Sequence, residues 1–97
     1  MSTNYEVTYI LRPQLEEADV DARVASLSET LTNGGAEIAG EPEKLGKRRL
    51  AYEINDVREG YYVVAKFKSD AAAAKEFERQ LRLSEDVMRH LLIKLDD

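Results

Sequence analysis

The chain has 97 residues, 43% of them hydrophobic and 34% charged, with a formal net charge of −5 and no cysteine. That length supports one core and one domain over residues 1–97, and the missing cysteine excludes a disulfide scaffold and any Cys-ligated zinc or iron–sulfur site. No apolar run approaches the ~20 residues that cross a bilayer, and Met1–Tyr5 lacks the basic and apolar regions of a signal peptide,, so a soluble cytoplasmic domain without membrane association is expected.

Tyr5 to Leu11 alternates and is rich in strand formers, which predicts a first strand with Tyr5, Val7, Tyr9 and Leu11 on one face. Arg12-Pro13 ends it, because proline has no amide hydrogen and biases its predecessor away from helix. Asp19 to Asn33 is predicted to be helical, since Val20, Val24, Leu27 and Leu31 make one apolar stripe,. Acidic residues crowd its start, where the helix dipole favours them, and Asn33-Gly34-Gly35 stops it,. Glu37 to about Ile54 is predicted as a second strand interrupted at Gly40 and Pro42. Alternation in its second half puts Leu50, Tyr52 and Ile54 toward the core, with Arg48 on their side, and Lys47, Arg49, Ala51 and Glu53 on the other. Asn55 to Gly60 is predicted as a turn or short loop. Tyr61 to Lys68 forms the third strand, with Tyr61, Val63, Ala65 and Phe67 facing the core. Ser69-Asp70 supplies an N-cap to a second helix ending near Arg82, striped by Ala74, Phe77 and Leu81,. Val87 to Leu95 is the last strand, too uniformly apolar for its faces to be assigned.

The order βαββαβ is the split-βαβ, ferredoxin-like pattern. It predicts an α+β sandwich in which two right-handed crossovers place both helices on one face of a four-stranded antiparallel sheet. The other face is open and is expected to carry Lys47, Arg49, Tyr62, Lys66 and Lys68. Charge is unevenly spread. Residues 1–43 carry 2 basic and 9 acidic groups, residues 44–68 carry 7 and 3, and residues 69–97 carry 5 and 7. A basic central segment in an acidic chain suits a local phosphate-binding footprint.

Leu45-Gly46-Lys47-Arg48-Arg49-Leu50-Ala51-Tyr52, followed by Ile54, resembles the signature of the bacterial ribosomal protein S6 family. Tyr5-Glu6-Val7 with Pro13 resembles that family's opening strand, Gly60-Tyr61-Tyr62 the start of its third strand, and Leu81-Arg82-Leu83 with Val87, Arg89 and Lys94 its close. The resemblance implies a ferredoxin-like fold and a structural role on the ribosome. It further implies binding to the central domain of small-subunit ribosomal RNA as a heterodimer with ribosomal protein S18. Ser2 and Thr3 stand where family members often carry arginine, and no acidic tail follows Asp96-Asp97, so neither feature is carried over. A basic partner fits the charge: an acidic protein with one cationic patch should hold RNA weakly alone and gain affinity when a cationic chain joins it.

The RNA-binding candidates are Lys47, Arg48, Arg49, Lys66, Lys68, Arg82 and Arg89, and the partner-interface candidates are Tyr62, Val64 and Ile10. Plainer roles compete with each. Charges on the second strand guard a sheet edge against aggregation. Arg48 snorkels past the core, Lys66 and Lys68 are solvated, and Arg82 and Arg89 form surface ion pairs with Glu85 or Asp86. His90 has no clustered ligand set. No Gly-rich phosphate loop, nucleophile elbow or metal spacing occurs, so neither enzyme activity, cofactor nor small-molecule substrate is expected. Two alternative functions are an RNA-recognition module and a dimerising, ligand-sensing ferredoxin-like domain. The first wants aromatics on strands one and three of the open face, where strand one offers only Glu6, Thr8 and Ile10. The second would use Ile10 and Val64 as an interface.

Overall fold

The structure, a computed structural model, describes residues 2–54 and 57–95, and side chains at all of these except 51–54 and 57. The elements are β1 (Thr3–Leu11), α1 (Glu17–Asn33), β2 (Glu37–Ile38), β3 (Glu43–Ile54), β4 (Val57–Ser69), α2 (Ala71–Leu83) and β5 (Val87–Lys94). Antiparallel β1 and β4 form the centre of the sheet, β5 flanks β1, and β2 and β3 both pair with the outer side of β4. With β2 and β3 taken as one interrupted strand, this is the expected ferredoxin-like arrangement. The interruption falls at residues 39–42, where Gly40 takes a φ of +77° that other residues adopt at a cost and Pro42 lacks a ladder donor,.

One face of the sheet is closed by the helices. Val7, Tyr9 and Leu11 of β1 and Val63, Ala65 and Phe67 of β4 are buried against Val20, Val24, Leu27 and Leu31 of α1 and Ala74, Phe77 and Leu81 of α2. The Tyr5 and Phe67 rings stack at 5.4 Å, and Phe67 meets Phe77 edge-on at 5.7 Å. Burial pushes the Tyr9 hydroxyl pKa well above its usual value,. Asp70 caps α2 by accepting from the Ala73 amide at 2.8 Å,. Helix α1 begins at Glu17, two residues earlier than its apolar stripe implied, and Gly35, with φ +92°, takes the left-handed position past its end,.

Two expectations for the central segment are overturned. Val57 to Gly60 are strand rather than turn, with Glu59 opposite Arg49 and Gly60 opposite Arg48; positions 55 and 56 lie outside the described residues. The faces of β3 are also reversed around Lys47–Arg49. Lys44 opposes Val63 while Gly46 opposes Tyr62, so Leu45 is an extra residue in the ladder, a β-bulge beside a glycine of φ +88°,. Past that bulge Lys47 opposes Tyr61 and Arg49 opposes Glu59 on the helix side, while Arg48 turns to the open side opposite Gly60. Leu50, expected under the helices, is only 9% exposed yet lies outside the helix-covered core cluster. The side chains of Tyr52 and Ile54, expected beside it, lie outside the described residues.

Candidate nucleic-acid and partner interface

The register places the open-face residues in cross-strand rows, since directly opposed residues share a face. One row runs Gly46, Tyr62, Ile10, Arg89; the next runs Glu43, Val64, Thr8, Leu91; then Lys66, Glu6 and Ile93. Lys68 follows, between Glu37 and Asn4. Tyr62, Ile10, Val64 and Leu91 make an apolar patch on this surface with Thr8 among them, and Glu43, Arg89, Glu6 and Lys66 lie around it.

At one end β4 continues past β1. Leu11 opposes Tyr61, the last residue of the β1–β4 register, while the β3–β4 pairing carries on through Gly60 and Glu59. Arg48 and Arg49, opposite Gly60 and Glu59, thus begin a two-stranded ribbon that continues past the β1 pairing, with Lys47 at its root opposite Tyr61. Lys47 and Arg49 lie on its helix side and Arg48 on its open side, and alternation from Gly60 puts Arg58 with Arg48,. All four are exposed, so both faces of the ribbon are cationic. Lys47 Nζ stands 5.4 Å from the Tyr61 ring centroid, which orients it without removing its charge from solvent,. Lys44 differs: it donates to Asp21 of α1, a hydrogen bond that raises its pKa and commits it to a contact within the chain.

The remaining candidates separate. Lys66 faces Glu6 with Nζ 4.0 Å from its carboxylate, and Lys68 is exposed on the open face. Arg89 shares the open face opposite Ile10. Arg82 belongs to α2 and pairs with Glu78 at 3.9 Å, one helical turn back, rather than with Glu85 or Asp86. Asp86 is held by Arg23 at 2.7 Å, and Arg12 donates to the Glu85 carbonyl. Arg82 thus lies on the helix side near β5, where it lines one groove with Arg89. Of the partner-interface candidates, Tyr62 and Val64 are half-buried, whereas Ile10 is only 8% exposed and lies over Gly60.

The sequence reading missed two features. One is the ribbon, whose signal was Gly46 inside a strand pattern, a common mark of a bulge. The other is an apolar row on the last strand. Register with β1 puts Leu91 and Ile93 on the open face, where they are 58% and 41% exposed, and Leu95 follows at 46%. His90 turns the other way and stands 3.3 Å from Glu78. Among the described residues no group of His, Cys, Asp or Glu could hold a metal ion, and no helix is long and apolar enough to cross a membrane.

A family model described as ribosomal protein S6 matches residues 4–94. Small ribosomal subunit proteins bS6 from two strains of Desulfitobacterium hafniense are each 49% identical over 94 residues, covering 96% of this chain and 97% of theirs. Among solved structures, 30S ribosomal protein S6 from Thermotoga maritima superposes with a TM-score of 0.91 at 25% identity, covering 98% of this chain and 89% of that one. The C-terminal domain of the MgtC protein from Mycobacterium tuberculosis, with a TM-score of 0.65 and 13% identity, shares the fold alone.

Proposed function

The chain belongs to the ribosomal protein S6 family of small-subunit proteins, and from that premise we propose that it binds the central domain of small-subunit ribosomal RNA as a heterodimer with ribosomal protein S18. Its role is structural, not enzymatic, and its place of action is the cytoplasmic ribosome. The observation that carries the reading is the division of the surface: a ribbon cationic on both faces, next to an open sheet face that carries an apolar patch. Phosphates on two neighbouring RNA segments can be neutralised from the two sides of such a ribbon. Lys47, Arg48 and Arg49 are the phosphate-contacting groups at this end, with Arg89 and Lys66 and Lys68 further along the open face. Tyr62 and Val64 belong to the surface that meets the protein partner.

The net charge of −5 favours a cationic partner. Phosphate contacts draw their affinity from counterion release, and the acidic remainder of the chain opposes it. A cationic protein seated on the apolar patch offsets that repulsion and adds phosphate contacts of its own. The test is a titration of a central-domain RNA fragment with this chain, with S18, and with both together. Weak binding by the chain alone and much tighter binding of the pair is expected. Equal affinity with and without S18 would refute the cooperative reading.

A further inference from the structure

A groove of about 310 Å³ lies between the last turn of α2 and the first half of β5. It starts from an irregularity in the ladder. Leu11 opposes Val87 and Ile10 opposes Arg89, so Met88 is an extra residue and β5 bulges there. A bulge bends its strand and re-aims side chains. His90 turns to α2 while Arg89 starts from the open face, yet at this bulged edge both line one groove with Arg82 of α2. Two arginines and the chain's single histidine therefore converge, and among the described residues no carboxylate lines the groove.

One carboxylate stands beside these cations. Glu78, one helical turn before Arg82, meets that guanidinium at 3.9 Å through one oxygen and His90 Nε2 at 3.3 Å through the other. Both contacts are longer than a strong charge-assisted hydrogen bond, so Glu78 holds the two groups loosely. Asp86, just before β5, is already taken by Arg23 at 2.7 Å. The groove and the basic ribbon also share one end of the sheet. The row Gly46, Tyr62, Ile10, Arg89 crosses from β3 to β5 next to the ribbon. Three strand spacings, about 14 Å, separate its two ends.

We propose that this groove receives one phosphate of the RNA, bound by Arg82, Arg89 and His90, and that Glu78 partners Arg82 and His90 in the free chain and is displaced when the phosphate enters. The ligand is an oxyanion because the groove offers guanidinium and imidazole donors and its lining supplies no acceptor of opposite charge. The phosphate belongs to RNA because the groove is open at the surface and lies at the ribbon's end of the sheet, where one strand of phosphates can reach both. Glu78 sets the strength of the site: its negative charge stays near the bound phosphate and repels it, so it lowers affinity. The proposal rests on the reading that this protein binds ribosomal RNA, and adds to it one site, one binding residue, His90, and one residue that opposes binding.

The experiment titrates the isotope-labelled full chain, in complex with unlabelled S18, with a central-domain RNA fragment. It reads affinity and the ring signals of His90, which are unambiguous because the chain has one histidine. RNA should shift those signals in the unsubstituted complex, a readout independent of any variant's folding, and inorganic phosphate at the same concentration should move them far less. Arg82→Ala, Arg89→Ala and His90→Leu should each weaken RNA binding about tenfold, and His90→Gln, which keeps an N–H donor, should recover part of that loss. Glu78→Gln should tighten binding about two- to fivefold, whereas Glu29→Gln, the same change of charge on α1, should not. If RNA binds and the His90 signals stay unmoved, or Glu29→Gln tightens binding as much as Glu78→Gln, the groove site is overturned and the RNA-binding reading survives. Inorganic phosphate that saturates the His90 shift without competing with RNA would make this a free-anion site and overturn its assignment to RNA. If the unsubstituted complex does not bind the RNA, both readings are overturned.

Discussion

Ile10 lies directly over Gly60, with its Cγ2 methyl where a side chain on Gly60 would have to sit. A Cβ added there would overlap that methyl and approach the Leu11 carbonyl oxygen to 3.1 Å. Ile10 is β-branched, so its methyl cannot swing aside as the end of a long chain would. This contact joins the root of the basic ribbon to β1. Gly60→Ala should therefore cost about 1–3 kcal/mol, the usual range for overpacking. Urea unfolding checks it: the midpoint should fall with an unchanged slope, and a stability equal to that of the parent would mean that Ile10 is free to move.

Helix α1 is held to the sheet by its apolar stripe, and Leu27 lies in the middle of the buried cluster. Leu27→Ala should destabilise the chain by about 2–5 kcal/mol through lost burial and a residual cavity. Leu83, one helix further on and 63% exposed, is the contrast. Its replacement by Ala should stay within about 0.5 kcal/mol. The pair of denaturation curves tests the face assignment directly.

Glu76 accepts from Arg79 at 2.7 and 2.9 Å and from Gln80 at 3.1 Å, which lowers its pKa from 4.5 to about 2. A carboxylate with a depressed folded pKa contributes stability above its unfolded pKa and loses it as pH falls through the folded one. The window here is pH 4.5 down to about 2. Glu76→Gln should lower the melting temperature slightly at neutral pH and lose less of it across that window. Both groups are about half exposed, so added salt should shrink the difference,. A difference that persisted at pH 2 would assign it to something other than this ion pair.

Much of the fold was legible because hydrophobic periodicity is a local signal. The stripes of α1 and α2 and the alternation of β1 and β4 were set by residues two to four apart, and these elements lie where the pattern put them, with β4 starting earlier than expected. The faces of β3 were not legible by alternation, because one extra residue at Leu45 reverses every side chain after it,. The faces of β5 were hidden for a different reason. Met88, Leu91, Leu92 and Ile93 are apolar on both sides, and only pairing with β1 decides which row stays exposed. The basic segment was visible as composition, but its division between two faces of a ribbon is a property of the ladder.

That division yields a quantitative expectation for RNA binding. If Lys47 and Arg49 on one side of the ribbon and Arg48 on the other each neutralise a phosphate, replacing any one with Ala should weaken binding of the S18-containing complex to the central-domain RNA. Each loss should also reduce the slope of log affinity against log salt by about 0.7–0.9, the share of one released counterion. Contacts from opposite faces reach different RNA segments, so the effects of Arg48→Ala and Arg49→Ala should add in the double variant. Lys75→Ala and Arg79→Ala, on α2 and away from the ribbon, should leave the slope unchanged. Folding stability should barely differ among the ribbon variants, since all three side chains are exposed,. Affinity is measured at several salt concentrations with S18 present. A slope lost with Lys47 and Arg49 but kept with Arg48 would put RNA on one side of the ribbon only. Slopes unchanged in all three variants would reduce these charges to guards of the β3 edge and move the RNA surface elsewhere.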